Sequence, residues 1–481
     1  MLKKTFRYLL LAVVVLVAIL LFNTFRFTAN QTTVAAIKIP ALPVNAIEHF
    51  QQAIQFRTIS NSNPALFDSV QFLGFRKFLD DAYPLIHSQL SKEIVDEYSL
   101  LYTWKGKNSA LKPIVLIAHQ DVVPIEKESE AMWTVKPFEG TIKGGFIWGR
   151  GTCDDKGSLI ALVESVEKLL SQNFQPERTI YLAFGHNEEV LGSGARAIAA
   201  LLEKRKVRAE FVLDEGGIIT SKKLSNLMDK SVGLVGLSEK GYISVQITAT
   251  KNGGHSSMIE SETAIDMVTK AVVKLRENPF EASYSASTKD LFDHIGPEMS
   301  FGQRIIFANT WLFKSLIINS LSKKGSTNAM IRTTTAPTII QSGIKDNVVP
   351  TVAKAVINFR IMPGSTSKDV LQHIEDVVKN DSLKIEIVSN VSEPSKVSDP
   401  NSIGFQRISQ SIKQNFGSKV IVSPYLVVGG TDSRYFEAVT DNTFRFIPFI
   451  DPLGFHGIDE RVSLNDYQRG ISFYEQLIKG F

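Results

Sequence analysis

The sequence predicts an α/β protein, in which a mixed, largely parallel sheet carries helices on both faces and an α+β module is inserted into the main domain. Three observations support this fold class. From about residue 110, short apolar runs alternate with segments of helical periodicity, as in βαβ units. Near residue 238 the pattern changes to a strand of alternating polar and apolar residues. The first pattern returns after about residue 400.

The N-terminal segment, residues 1–27, predicts a membrane anchor or a signal segment. Residues Tyr8 to Phe25 carry no charge, and basic residues precede them. A cleaved signal peptide has an apolar core of this kind followed by small residues, whereas a retained anchor takes about 20 apolar residues. The continuation Asn23–Phe27 lacks a cleavage site of small residues. We therefore favour one anchor with the rest of the chain outside the cytoplasm, and secretion after cleavage is the alternative.

The main domain is predicted over 45–237 and 393–481, after a polar tether at 28–44. Its predicted strands are Pro113–Ala118, Thr179–Phe184 and Phe211–Leu213. Its predicted helices are Asn45–Arg57, Gly157–Leu170, Ala195–Leu202, Phe405–Asn415 and Asp466–Ile478.

The inserted module is predicted over 238–392, with mobile hinges near 238 and 392. Its predicted strands are Gly241–Thr250, Val352–Ile361 and Lys384–Val388. Its predicted helices are Glu262–Leu275 and Ser367–Val378. Between about 280 and 340 the periodicity is weak and predicts no element.

Composition and charge narrow the class of protein. The chain is 44% hydrophobic and 21% charged, which is ordinary for a globular protein. The net charge of +4 includes three positive residues among the first seven, so no basic face is expected and nucleic acid is not an expected partner. One cysteine, Cys153, excludes an internal disulfide and a cysteine-rich metal site.

Acidic and histidine residues follow the predicted strands in five clusters. These are AHQD at 118–121, GRGTCDDKG at 149–157, GHNEE at 185–189, LDEGG at 213–217 and FHGIDE at 455–460. Because the carboxyl ends of parallel strands meet at one edge, we expect the clusters to converge. A two-metal site needs one histidine and one carboxylate for each ion and one shared carboxylate. The clusters offer that set as His119, Asp154, Glu189, Asp214 and His456.

Two further acids have natural second roles in such a site. Asp121 lies two residues after His119, in position to orient its ring. Glu188 lies beside a predicted ligand, in position to accept a proton from an attacking water. The residues alone therefore predict a two-metal hydrolase.

The same motifs resemble the aminoacylase/carboxypeptidase family of di-zinc hydrolases (peptidase M20 type), and most closely its carboxypeptidase S-like branch. The likeness covers about residues 45–481 and includes Trp133–Gly157, FGHNEEVLGSGA, VLDEGG, NGGHSS, NVVP, NFRIMPG, GGTDSR and HGIDERV. It implies a zinc exopeptidase-like catalytic domain, a lid or dimerisation module at 238–392, and two zinc ions per subunit.

The resemblance also assigns roles at the metal site. It places metal ligands on His119, Asp154, Glu189, Asp214 and His456, with Asp154 bridging. It makes Glu188 the general base and Asp121 the carboxylate that orients the histidine. Some relatives use the residue equivalent to Glu215 where Asp214 is assigned, and this branch favours Asp214.

The resemblance further implies how substrate is held. His255 matches a histidine that reaches the active site of the opposite subunit and stabilises the oxyanion, which implies a homodimer through the module. Arg360 and Asn347 match residues that hold the terminal carboxylate of the substrate, and Gly429 and Gly430 would offer backbone N–H donors.

Three functional hypotheses follow. The first is a carboxypeptidase or dipeptidase that hydrolyses the amide bond next to a free C-terminal carboxylate in short peptides. The second is an N-acyl-amino-acid hydrolase or synthase, in which the apolar segment Phe301–Leu321 would either line an acyl groove or form ordinary lid core. The third is an inactive scaffold, which is disfavoured because all seven acidic and histidine roles are filled.

Overall fold

The computed structural model describes residues 2–61, 63–221 and 228–481. Its helices in these ranges are α1 (Leu2–Arg26), α2 (Ala46–Gln55), α3 (Ser69–Ala82), α4 (Pro84–Gln89), α5 (Lys127–Glu130), α6 (Lys156–Ser171), α7 (Gly194–Lys204), α8 (Ala264–Glu277), α9 (Ala286–Ile295), α10 (Phe301–Ala308), α11 (Thr310–Leu321), α12 (Gly325–Asn328), α13 (Ser367–Val378), α14 (Ile403–Phe416) and α15 (Leu464–Lys479).

The strands of the described ranges form one large sheet and three smaller ones. They are β1 (Ser91–Val95), β2 (Ser99–Trp104), β3 (Ile114–His119), β4 (Thr141–Lys143), β5 (Phe146–Trp148), β6 (Ile180–Gly185), β7 (Phe211–Asp214), β8 (Ile219–Thr220), β9 (Val232–Glu239), β10 (Gly241–Thr250), β11 (Gly254–His255), β12 (Thr334–Ser342), β13 (Val348–Val349), β14 (Val352–Ile361), β15 (Leu383–Ile387), β16 (Ile421–Val427), β17 (Thr443–Arg445) and β18 (Arg461–Ser463).

The large sheet carries the predicted main domain. Its strand order is β1-β2-β6-β3-β7-β17-β9-β16, with β8 paired to β9. The central strands β6, β3, β7 and β17 are parallel, whereas β1 and β2 form an antiparallel edge. Every residue of β3 is buried, because α2, α6 and α15 cover one face and α7 covers the other. The predicted fold class and the three predicted strands of this domain are confirmed.

The smaller four-stranded sheet belongs to the predicted module. Its order is β12-β14-β10-β15 and all its pairs are antiparallel. One face packs against α8 and α13, and each of these helices begins with a capping box, at Thr263–Asp266 and Thr366–Asp369. The predicted strands and helices of the module are confirmed to within a few residues.

Between about 280 and 340, where the sequence predicts no element, the structure has α9, α10, α11, α12 and the start of β12. Helix α9 lies against β16 and β9 of the large sheet, where Leu291 and Phe292 join a core with Val232 and Ile421. Helix α9, which falls within the predicted module at 238–392, therefore packs its apolar side on the large sheet.

Helix α1 is mostly exposed, and by length and composition it is able to cross a membrane. A signal sequence passes the same test. The predicted tether at 28–44 contains no helix or strand up to Pro43, but it lies along the main domain. The Gln31 side chain exchanges hydrogen bonds with the backbone of Val422 in β16.

Candidate metal centre

Asp154 lies between two histidines that are far apart in the sequence, His119 and His456. His119 is the last residue of β3, and its Nε2 is 2.8 Å from Oδ1 of Asp154. The Nε2 atom of His456 is 2.9 Å from Oδ2 of the same carboxylate and 3.3 Å from Oε2 of Glu189. One carboxylate that presents a separate oxygen to each histidine is the arrangement that a bridging ligand requires.

Two groups of side chains have the spacing of metal ligands. The first contains His119, Asp154 and Glu215, and the second contains Asp154, Glu189 and His456. Within each group the ligand atoms lie within 4.8 Å of one another. Oε1 of Glu189 is buried and has no hydrogen-bond partner within the described structure. A buried, unpartnered carboxylate oxygen beside imidazole nitrogens fits zinc, whose common ligands are these atoms.

Asp214 lies outside both groups, and its neighbour Glu215 takes part instead. Oδ1 of Asp214 accepts a hydrogen bond from the backbone N–H of Glu215 at 2.9 Å, and Oδ2 accepts one from Ser433 at 2.6 Å. Consecutive side chains at the end of an extended strand point to opposite sides. The sequence interpretation preferred Asp214 and left Glu215 as the alternative, and the geometry favours that alternative.

Asp121 organises the site through five hydrogen bonds or close contacts. Its Oδ1 is 3.3 Å from Nδ1 of His119, and its backbone carbonyl is 3.0 Å from the same nitrogen. Its carboxylate accepts hydrogen bonds from the backbone N–H groups of Glu188 at 3.0 Å and Glu189 at 3.1 Å. Ser60, which the sequence analysis did not identify, donates its hydroxyl at 2.5 Å. Burial opposes ionisation, but the hydrogen bond with His119 keeps the pKa of Asp121 below its usual value.

Glu188 is a buried carboxylate that does not belong to either ligand group. Burial raises the pKa of Glu188 well above its usual value, and the nearby charge of Asp432 raises it further. The guanidinium of Arg434 lies 3.5 Å from Oε1 of Glu188 and opposes that shift. A carboxyl group with an increased proton affinity beside metal ligands suits general acid–base chemistry. Asp432 and Arg434 were missed by the sequence analysis, although the quoted motif GGTDSR contains both.

Glu460 joins the loop that carries Asp154 to the loop that carries His456. Its carboxylate accepts a hydrogen bond from Nη1 of Arg150 at 2.6 Å. It also accepts hydrogen bonds from the backbone N–H groups of Gly151 at 3.0 Å, Cys153 at 2.8 Å and Asp154 at 3.2 Å. Burial raises the pKa of Glu460 to about 7, and Arg150 opposes the shift. The sequence analysis did not single out this residue either, although the motif HGIDERV contains it.

Arg360 lies in β14 of the four-stranded sheet and presents a cation near Arg434 of the main domain. Its guanidinium lies 4.7 Å from the centre of the Tyr242 ring. Burial lowers the pKa of Arg360, and the positive charge of Arg434 lowers it further. Burial lowers the pKa of Lys240 to about 7, and the nearby positive charge of Arg360 lowers it further. Within the described ranges, no acidic side chain pairs with Arg360, so this cationic region is available to an anion.

His255 and Asn347 lie together on the inserted module, where they line an exposed cleft of about 660 Å³. In the part of the chain that the structure describes, no hydrogen bond or ion pair joins them to the metal-ligand groups. Gly429 faces open space. A Cβ atom on Gly430 would come within 2.9 Å of Nη1 of Arg434, so this glycine makes room for the guanidinium.

The fold, the two ligand groups and the buried glutamate together define a metallohydrolase. The family model for peptidase family M20/M25/M40 matches residues 115–480. The chain belongs to this family, and it is a carboxypeptidase-like metallohydrolase of peptide or amide bonds.

Relatives and solved structures agree with this assignment. The chain is 40% identical over 99% of its length to a probable carboxypeptidase S-like 2 protein of Dictyostelium discoideum, of which it covers 95%. It is 36% identical over 90% of its length to an N-fatty-acyl-amino acid synthase/hydrolase of Homo sapiens, of which it covers 87%. An M20 family metallo-carboxypeptidase from Sulfolobus solfataricus has the same fold, with a TM-score of 0.67 at 18% identity and coverage of 90% and 98% of the two chains.

Proposed function

We propose that the protein is a two-zinc exopeptidase that hydrolyses the amide bond next to a free C-terminal carboxylate in short peptides. The observation that carries this proposal is Arg360, a half-buried guanidinium without an acidic partner in the described ranges, close to Arg434. A guanidinium of this kind pairs with a carboxylate through two parallel hydrogen bonds. Backbone N–H groups of Gly429 and Gly430 complete the proposed carboxylate site, and the Asn347 amide reaches it from the other subunit, because Asn347 lies beside His255 on the module.

The proposed ligands divide between two ions. His119 and Glu215 would hold one ion, and Glu189 and His456 would hold the other. Asp154 would serve both, because its two oxygens face the two histidines. When bound, the ions would supply acidification of a water molecule and polarisation of the scissile carbonyl.

Glu188 accepts the proton of the attacking water and delivers it to the leaving amine. Its burial favours the protonated form that this second step needs. Asp121 keeps the backbone of Glu188 in place and orients His119.

His255 stabilises the developing oxyanion in this proposal. Because His255 lies exposed on the module, apart from the ligand groups of its own chain, we propose that a homodimer brings it to the site of the other subunit.

A second candidate substrate shares the same carboxylate site. An N-acyl-amino acid also has an amide bond next to a free carboxylate, and the human relative is named for fatty-acyl substrates of this class. The two candidates differ only on the acyl side of the bond. The apolar helices α10 and α11, which adjoin α1, favour keeping this alternative.

The contacts of α1 support a retained anchor, with the catalytic part outside the cytoplasm. Thr24 is fully buried, and the Asn23 amide donates to Oδ1 of Asn309 at 2.9 Å. Specific polar contacts at the end of α1 serve a helix that stays attached, whereas a cleaved signal peptide would not need them.

The test is hydrolysis by the full chain in detergent with zinc present. The panel pairs Gly-X and Ala-X dipeptides, acetyl-amino acids and oleoyl-amino acids with the corresponding C-terminal amides. We expect cleavage of the free acids at least 100-fold faster than cleavage of the amides, and we expect Arg360→Ala to remove most of that preference. Cleavage of oleoyl substrates alone would select the second candidate. Equal rates on acids and amides, or no hydrolysis by the zinc-loaded protein, would contradict the proposal.

A further inference from the structure

Helices α10 and α11 expose large apolar side chains that a water-facing helix would normally bury. Trp311 is 61% exposed, Leu316 53%, Phe301 52% and Leu312 44%. We call these four side chains the docking face. Helix α11 is apolar around most of its circumference, and Ile317 is its one buried residue. Large exposed apolar surfaces mark sites of protein or membrane interaction.

The docking face continues directly from the apolar helix α1. The amide of Asn309, between α10 and α11, donates to the backbone carbonyl of Leu20 at 3.1 Å. The Arg304 guanidinium donates to the carbonyl of Phe27 at 2.7 Å. The rings of Phe25 and Phe301 have centroids 6.2 Å apart. Helix α10 therefore lies along the last turns of α1, and the α10–α11 junction is nearer to the middle of α1.

This contact sets the depth of the docking face. The last residue of α1 is Arg26, a charge that a membrane-spanning helix keeps at the membrane boundary. Leu20 lies six residues earlier, which is about 9 Å along the helix axis at 1.5 Å per residue. The α10–α11 junction bonds to Leu20, so it lies below the headgroups when α1 spans the membrane. Trp311 follows that junction, and tryptophan is enriched at the membrane interface.

We propose that α10 and α11 insert into the outer leaflet of the same membrane that holds α1, as an interfacial helix pair. The occupant of the docking face is lipid acyl chain. Exposed Lys314, Lys323 and Lys324 lie on or just after α11 and suit the phosphate groups of lipid headgroups. This inference rests on the membrane anchor of the proposed function and goes beyond it, because it orients the whole enzyme on the bilayer. Helix α9 fixes α10 to the large sheet, so the catalytic domain faces the membrane on that side.

The test uses the full chain reconstituted in vesicles of phosphatidylcholine and phosphatidylglycerol. Cys153 is the single cysteine and is buried, so a nitroxide attaches at introduced cysteines. Three variants are compared: Leu316→Cys on the docking face, Val14→Cys within α1, and Ile344→Cys, which is 99% exposed on the module. Collisions with dissolved oxygen report lipid, and collisions with a water-soluble nickel chelate report solvent.

We expect the labels at positions 316 and 14 to favour oxygen at least tenfold over the label at position 344. Free access of nickel to position 316, with position 14 protected, would overturn the inference and leave the anchor intact. Access of nickel to position 14 would refute the anchor itself. Protection of position 316 from both reagents, with spin–spin broadening, would assign the docking face to a second copy of the chain and overturn the lipid assignment.

A second measurement needs no label. Brominated acyl chains quench tryptophan fluorescence on contact. Of the other three tryptophans, Trp104 and Trp133 are buried, and Trp148 is half-buried in β5 under the Arg461 guanidinium. We expect quenching of the wild-type protein in brominated vesicles and loss of most of that quenching in Trp311→Phe. Equal quenching of both proteins would contradict the inference.

Discussion

Glu188 is the side chain on which the proposed proton transfers depend. It lies next to the ligand Glu189 but belongs to neither ligand group. We therefore expect Glu188→Gln to lower kcat by about 10²–10⁴-fold, the usual contribution of a positioned acid or base, with bound zinc unchanged. The exposed Glu128→Gln in α5 is the matched control and should leave kcat unchanged. Turnover of Glu188→Gln above one-tenth of wild type would contradict the assigned role.

The choice between two adjacent acids gives a second prediction. We expect Glu215→Gln to reduce bound zinc from about two ions to about one, because Glu215 is the acid that joins His119 and Asp154 in the first ligand group. We expect Asp214→Asn to keep both ions at saturating zinc, since its oxygens accept backbone N–H groups. Metal analysis of the two purified variants checks this. The reverse pattern would restore Asp214 as the ligand.

These residues show which parts of the candidate metal site the sequence is able to predict. The clusters around His119, Glu189 and Asp214 were located because each follows an apolar strand that is easy to identify. Which of Asp214 and Glu215 faces the pocket depends on the backbone N–H of Ser433, which is 219 residues away in the chain. Glu460 and Arg434 lie within the quoted motifs, but their roles depend on contacts between distant loops, which no local pattern predicts.

Among the helices and strands too, local sequence patterns predict some elements and miss others. Strands β3 and β14 were predicted because one is buried on both faces and the other alternates regularly. Strand β12 was not predicted, because it is an edge strand that is exposed from Ala336 onward and has a register shift at Pro337. Helix α1 was predicted by composition alone, but its contact with α10 was outside the reach of local periodicity.

Two close-packed chain segments connect the large sheet to the four-stranded sheet. Tyr242 and Ser392 exchange backbone hydrogen bonds of 2.7 and 2.9 Å. The two chain segments that connect the module to the main domain are therefore bonded to each other. Gly241 lies at this crossing, and a Cβ there would be 2.6 Å from the carbonyl oxygen of Ser392.

We expect Gly241→Ala to destabilise this connection by about 1–3 kcal/mol, as overpacking usually does. Thermal unfolding should show a lower Tm, and kcat should fall because the module no longer meets the main domain correctly. Gly325→Ala is the matched control, since its Cβ would face open space. An unchanged Tm for Gly241→Ala would show that the two segments separate easily.

At the scale of the whole molecule, the metal centre concentrates negative charge in the interior. Asp154, Glu188, Glu189 and Glu215 lie together, and burial followed by the repulsion of neighbouring acids raises the pKa of Glu215 well above its usual value. The centre draws its ligands from β3, the loop before α6, the loop after β6, the end of β7 and the loop before β18. Divalent cations bound to these acids would therefore hold distant parts of the main domain together.

Metal removal should accordingly lower the stability of the main domain. A ligand at 100 times its dissociation constant stabilises a folded protein by about 2.7 kcal/mol per site, so we expect chelation to lower Tm by at least several degrees and added zinc to restore it. Asp154→Asn removes the shared carboxylate, and its Tm should respond to zinc much less than that of wild type. Asp81→Asn, an exposed change in α3, should retain the full response. Equal Tm values for the chelated and zinc-loaded wild-type protein would show that these side chains support one another without metal, which would contradict the assignment of the cluster as a metal centre.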